Sequence, residues 1–313
     1  MQTTVNSTAV IEAQVYSNFI STNLNDGMLP GIFYRDVSDF GSGTTLNIPT
    51  VGARTIQDVN ENEELVATAI DSNTLQLTIT NQVGDAFYVT DDLREDGYAV
   101  GPLLAESAMQ QTIAIQEDHE TKFLAACNNA QTDAAANNVN GFAHRIASAE
   151  TNDIVSLQHF INMKLAFDKA NVPMGGRVAI VDPVVGATLD GLVSIGRDVT
   201  PFGEQILANG FDRDHSFLMN LYGWNIITSN RLAKGSFGDG TETVAGGVAN
   251  VFMSVLSDNH KPIMHAWRRQ PKTETWRNGK KRRDEFTTTS RFGFGTGRTD
   301  TLGILVTSAT AIA

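Results

Sequence analysis

The sequence predicts an α+β protein, and three features carry that expectation. Two short segments, "GTTLNIPTVG" and "TLQLTIT", alternate apolar and polar residues with the period of two that a half-buried strand needs. From Pro102 to about Cys127 the pattern becomes helical, and Pro102 suits a first helical position. From Asp153 onward a helix, a continuous apolar run and a second helix follow at the short spacing of an α/β unit. The 313 residues, 41% hydrophobic and 19% charged, describe an ordinary folded chain that forms one elaborate domain or two compact ones.

Taken in order, residues 8–22 predict a short helix with Ile11, Val15 and Phe19 on one face and Ser7 or Thr8 as cap. It ends before the Gly and Pro of "NDGMLPG". Leu46 and Ile48 mark the first strand, and Leu75, Leu77 and Ile79 share one face of its partner. Between them runs a polar tip, acidic at Asp58, Glu61, Glu63, Glu64 and Asp71, so the pair reads as an extended hairpin. An isolated hairpin is marginal in water, so this one needs a surface to dock on. "VGDAFYVTDDLREDGYAVG" predicts one more short strand and then polar turns. In the long helix the middle, "QEDHETK", is strongly polar and predicts a face turned to solvent or to another subunit. "NNAQTDAAANNVNG" reads as a flexible connection.

Asp153 is the expected cap of a helix whose apolar positions are Ile154, Leu157, Phe160, Ile161, Leu165 and Phe167. Gly175-Gly176 makes a turn, Val178–Val181 is a buried strand, and Asp182-Pro183 starts the next helix. "IGRDVTPFGEQILANG" reads as loop and short helix, and "SFLMNLYGWNIITSNRL" as strands around Gly223. "KGSFGDGTETVAGG" reads as a Gly-rich loop before the strand "VANVFMSVL". The last fifty residues are strands, with Phe286, Thr288, Ser290, Phe292 and Phe294 on one face.

Composition narrows the class of function. A net charge of -12 argues against a general nucleic-acid binder, which needs positive surface to release counterions. The single Cys127 rules out an intrachain disulfide framework and fits a reducing compartment. The N-terminus lacks the basic and apolar regions of a secretory signal, and no apolar run approaches the ~20 residues of a membrane span. A soluble protein folded in cytoplasm is expected.

Each catalytic motif fails on its spacing. "GFGFGTGR" is followed by strand-like residues where a dinucleotide fingerprint needs a helix, so it reads as a Gly-rich strand. "NGKKRR" lacks the leading Gly of a phosphate loop, and Leu192 replaces the Gly that a nucleophile elbow needs before Ser194. His119-Glu120 begins like a zinc-protease helix, but Phe123 stands at the second ligand position, and His119 reads as a polar residue on a solvated face. Asp212 and Asp214 lack the Gly and Glu of a calcium loop, and His260 and His265 have no nearby carboxylate. No catalytic residue, no metal and no cofactor is expected, and the protein is not expected to be an enzyme. A small-ligand protein or enzyme built on residues 150–262 is the rival reading.

The order of parts resembles the major capsid protein of tailed bacteriophages, the Hong Kong ninety-seven-type capsid fold shared with encapsulins. Three stretches carry the likeness: "LAFDKANVPMGGRVAIVDPVVGATLDGL", "LYGWNIITSNRL" and "RFGFGTGRTDTLGILVTSA". The resemblance implies an N-terminal arm at 1–43, an extended loop at 44–85 and a peripheral domain with its spine helix at 86–149. An axial domain at 150–262 and returning peripheral strands at 263–313 complete it. It implies a shell of hexamers and pentamers enclosing double-stranded DNA held by non-specific contacts. A portal and, in some shells, a decoration protein are the further partners it implies, and no membrane is involved. The implied location is the virion capsid, assembled in the host cytoplasm. An encapsulin-type compartment that holds cargo protein is the alternative. The chain starts almost directly with the arm, which implies a separate scaffolding protein or an already processed form. No lysine precedes Lys122, so a lysine crosslink from the extended loop is not available.

Charge along the chain is sorted. From Ala266 to Arg298 there are ten Lys or Arg against three Asp or Glu, leaving thirteen basic against thirty-two acidic residues elsewhere. The strip comprises Arg268, Arg269, Lys272, Arg277, Lys280, Lys281, Arg282 and Arg283. It faces packaged DNA, or a neighbouring subunit, or solvent at a hairpin turn after Asn278-Gly279. The acidic loop favours the subunit interface, because one chain then supplies both halves of a charge-complementary contact.

Overall fold

The computed structural model describes residues 29, 31–38, 43–52, 54, 56–58, 61, 64, 67, 69–70, 72–97, 100–135, 137–196 and 217–312. The helix expected at 8–22, the loop and short helix expected at 195–210 beyond its first two residues, Asp212 and Asp214, and the acidic residues Glu63 and Asp71 lie outside them. The first strands are β1 Arg35–Asp36, β2 Thr45–Val51, β3 Ser72–Thr78, β4 Asn81–Thr90, β5 Asn138–Val139, β6 Phe142–Ala143 and β7 Arg145–Ala147. There follow β8 Arg177–Val181, β9 Phe217–Leu221, β10 Trp224–Thr228, β11 Lys234–Gly238, β12 Thr243–Ser254, β13 Ile263–Asn278, β14 Arg283–Thr296 and β15 Leu302–Ser308. The helices are α1 Asp91–Asp96, α2 Val100–Ala130, α3 Leu157–Lys169 and α4 Pro183–Gly196.

The larger sheet runs β7-β15-β12-β8-β10-β9, with β11 paired to β12. All five residues of β8 are buried, and alternate ones serve different cores. Val178 and Ile180 pack with Phe123, Leu124 and Cys127 of α2, whereas Ala179 and Val181 pack with Phe160, Met163 and Phe167 of α3 and with Val185 and Leu189 of α4. A strand covered on both faces needs apolar residues on both, which is why "VAIV" shows no alternation. Burial pushes the Cys127 thiol up, so it acts there as a small apolar filler. β15 has the same double duty, with Ile304 and Val306 in the first core and Leu305 in the second. β15 lies between β7 and β12 in the larger sheet.

The smaller sheet runs β1-β13-β14-β4. The first half of α2 lies along it: Gln111 Nε2 donates to Asp85 O at 2.7 Å, and Thr288 Oγ1 donates to Gln111 Oε1 at 2.6 Å. Thr288, Ser290 and Phe292 are buried, as the alternation along β14 predicts. The spine helix thus ties two sheets together, one at each half.

Several boundaries differ from the sequence reading, each for a local reason. The polar turns expected after β4 are α1, because Thr90 Oγ1 accepts the Leu93 N–H and Asp91 and Asp92 occupy the first turn. Helix α2 starts two residues before Pro102, still within the first turn, where a missing N–H costs nothing. Helix α3 starts at Leu157, not beside Asp153: Ser156 and His159 form a reciprocal capping box. Its buried face is His159, Phe160, Met163, Ala166 and Phe167, leaving Leu157, Ile161 and Leu165 exposed. The connection at 128–141 contains β5, which pairs with β6 just beyond it, and the Gly-rich segment 234–247 is a β11–β12 hairpin.

One buried cation holds the α3–β8 corner. Arg177 pairs with Asp168 at 2.7 Å, donates to Val172 O at 2.6 Å and Pro173 O at 3.1 Å, and sits over the Phe167 and Trp224 rings. Gly176, at φ +69°, brings the backbone so close to Leu256 that a Cβ would stand 2.8 Å from its amide nitrogen. The "GGR" of the sequence is therefore a turn that passes a neighbouring strand end and then a clamp. Arg177→Met orphans two carbonyls and is expected to lower stability by about 2–4 kcal/mol. Urea unfolding of the purified protein checks this, and Arg177→Lys should rescue little, since an ammonium lacks the planar fork.

Candidate functional site

The hairpin loop is built from β2 and β3, paired antiparallel with Leu46 opposite Leu77 and Ile48 opposite Leu75. Beyond Val51 the link continues, with Arg54 Nη1 donating to Ala69 O at 3.1 Å. The root of the loop docks through Leu77, which packs with Met264 and Ala266, and with Leu46, Ile48 and Leu75 beside them. It crosses β14 at two glycines. A Cβ on Gly293 would stand 2.6 Å from Thr78 O, and one on Gly295 2.7 Å from Leu77 Cδ1. The glycine-rich "RFGFGTG" is thus the strand expected, flattened so that another chain segment can pass over it. Farther out, Asp58, Glu61 and Glu64 are exposed, and none pairs with a cation among the described residues. Ile56 and Ile70 are also exposed there.

The basic strip is the hairpin of β13 and β14, whose turn, residues 279–282, sets Asn278 opposite Arg283. The structure separates its cations into two groups. Arg277 bonds both oxygens of Asp91, at 2.8 and 2.6 Å, and reaches Asp284 at 3.1 Å, while Arg94 joins Asp284 at 2.5 Å. The hydrogen bond from Arg277 holds the Asp91 carboxyl below its ordinary value. Arg283 bonds Glu285 at 2.7 Å and stacks 4.2 Å over the Tyr88 ring, and Lys272 pairs with Glu274 at 2.9 Å. Arg268 and Arg269 are exposed on β13, and Arg268 has a partner. Lys280, Lys281 and Arg282 are exposed at the turn and make no ion pair among the described residues.

The polar middle of α2 has one exposed face, with Gln116 and Thr121 on it, but its other side turns inward. Glu120 is buried, accepting from Leu29 N at 3.1 Å and Ser229 Oγ at 3.1 Å, and Arg231 bridges it to Glu117. His119 is a correction: it stacks on Trp267, and its Nε2 lies 3.0 Å from Nε2 of the buried His265. Tyr34, Phe292 and Phe294 surround the pair. Burial holds both imidazoles down to about 4. Beside them lies a cavity of about 500 Å3 bounded by Leu29, Tyr34, Glu120, Trp267 and Pro271. Among the described residues no three His, Cys, Asp or Glu side chains converge as a metal site, and no helix is long and apolar enough to cross a membrane. Among the described residues, two exposed surfaces make no ion pairs within the chain: the acidic residues Asp58, Glu61 and Glu64 of the loop, and the tip of the basic hairpin.

The comparisons with known proteins agree with an assembly role. The capsid of cyanophage P-SCSP1u superposes with a TM-score of 0.73 at 15% identity, covering 96% of this chain and 94% of that one. The capsid of Ralstonia phage GP4 gives 0.68 at 11% identity with 99% of each chain covered, and a protein of Mycobacterium phage Che8 gives 0.67 at 16% identity with 94% and 97% covered. No curated protein sequence matches the chain. The model of the phage capsid protein family matches residues 74–307, from the docked strand β3 to the end of β15, and the chain therefore belongs to that family as a bacteriophage major capsid protein.

Proposed function

We propose that copies of this chain form an icosahedral shell of hexamers and pentamers around double-stranded DNA, each extended loop lying across the smaller sheet of a neighbour. In this reading residues 44–85 reach between subunits, 86–149 and the β13–β14 hairpin form the peripheral domain, and 150–262 the axial one. The observation that carries it is the mismatch among the described residues of one subunit: Asp58, Glu61 and Glu64 make no ion pair with a cation there, and Lys280, Lys281 and Arg282 make none with an anion. Exposed ion pairs contribute only ~0–1 kcal/mol each, but repeated at every contact they select the correct neighbour and register. Arg277 and Arg283 serve the subunit's own fold and are left out of the contact. Scaffolding and portal proteins complete assembly in the host cytoplasm.

Lys281→Glu with Arg282→Glu is expected to block shell closure, and adding Glu61→Lys with Glu64→Lys to restore it in part. Negative-stain microscopy and light scattering read both outcomes. Normal shells from the first variant would remove the charge contact; normal shells that fail to retain DNA would turn the strip toward the genome.

A further inference from the structure

The outer face of the smaller sheet carries an aromatic platform that the described residues leave largely uncovered. Register sets Trp276, Glu285 and Tyr88 side by side across β13, β14 and β4. Glu285 braces the row: it accepts from Trp276 Nε1 at 2.7 Å, Arg283 Nε at 2.7 Å and Asn278 Nδ2 at 3.1 Å. Arg283 in turn lies over the Tyr88 ring. The helix-facing side of the same strands is occupied by Phe87, Phe286 and Thr288, so the row points away from α2. Yet Trp276 is 61% exposed and Tyr88 57%. Large aromatics braced by hydrogen bonds, with Arg283 over one of them, are the side chains that dominate interface energies, because little entropy remains to be lost on contact.

The loop offers the matching half. Ile56 is 96% exposed and Ile70 71%, on either side of the Arg54–Ala69 link, in a tip that also carries the exposed Asp58, Glu61 and Glu64. An apolar pair with an acidic surround fits an aromatic platform with Lys280, Lys281 and Arg282 at its end.

We propose that Ile56 and Ile70 of one subunit's loop seat on the Trp276–Tyr88 platform of a neighbouring copy, forming the apolar anchor of the contact that the charges only orient. This rests on the loop-over-sheet reading above. Trp276→Ala, and separately Ile56→Ser with Ile70→Ser, should each raise the subunit concentration needed for closed shells at least about tenfold, as loss of an interface anchor does. Combining them should add little, since both remove the same contact. Trp276 emission should shift to the blue on assembly, a change absent in Trp276→Phe. Trp276 quenched by iodide as freely in shells as in free subunits would overturn the proposal. So would a covered Trp276 whose shells tolerate the loop substitutions, since another occupant would then sit there. If these fail while the charge-reversal rescue succeeds, the anchor is wrong and the loop-over-sheet contact stands; if the rescue fails too, that contact is wrong.

Discussion

Gly293→Val is expected to abolish closed shells while leaving both sheets folded. The obstruction is backbone: a Cβ at this position would lie 2.6 Å from Thr78 O and 2.8 Å from Ile79 Cα, where the loop root crosses β14. Backbone cannot rotate aside as a side-chain end can, so the root must lift. The cost of such overpacking is about 1–3 kcal/mol. Leu77 and Ile79, both buried at the crossing, would be pulled from their places, and Leu77 is the part of β3 that reaches Met264 and Ala266. A two-stranded hairpin without a docking surface is marginal. The loop would then project in no fixed direction and miss its neighbour. Gly295→Ala is the milder control, because its obstacle is Leu77 Cδ1. Two measurements check this: shell yield by microscopy, and tryptic cleavage at Arg54, the basic residue inside the loop, which should accelerate in Gly293→Val. Shells of normal yield with unchanged cleavage would show that the crossing tolerates bulk.

The parts legible in the sequence are those fixed by local periodicity. Alternation in "TLQLTIT" gives the face of β3 that docks, and the unbroken apolar run of β8 gives a strand covered twice. What escaped is set by partners distant in sequence. Helix α2 shows no clean apolar stripe because its two halves lie on different sheets, and it buries Gln111 and Glu120 against groups from Asp85, Thr288, Ser229 and Arg231. No spacing within the helix announces those bonds, so His119 and its neighbours read as a wet face. The basic strip is visible as charge, but which cations are already engaged depends on Asp91, brought beside Arg277 by β4. Likewise Trp276 and Tyr88 become neighbours only through the register of three strands.

Acid is expected to loosen the joint between α2 and the smaller sheet through His119 and His265. Their Nε2 atoms face each other at 3.0 Å where the helix crosses β13, and the buried Nδ1 of His265 has no hydrogen-bond partner. Desolvation is the main cause holding each imidazole down to about 4 from 6.5. Around them Asp118 and Asp36 favour protonation, whereas Lys122 and the second imidazole oppose it. The folded pair therefore binds protons less readily than the unfolded chain between pH 6.5 and 4. Stability from the pair is complete above pH 6.5 and declines as pH falls through that window. With solvent reaching part of His119, the loss by pH 4 is on the order of a few kcal/mol. Two protonated rings at that distance would repel, and the Tyr34, Trp267 and Phe294 rings around them offer no anion to offset the charge. Urea midpoints at pH 7 and pH 4.5 test this in the wild type and in His119→Gln with His265→Gln. The double variant should lose markedly less stability over that interval, even if its stability at pH 7 is lower. Equal losses would place the acid sensitivity in the carboxylates instead.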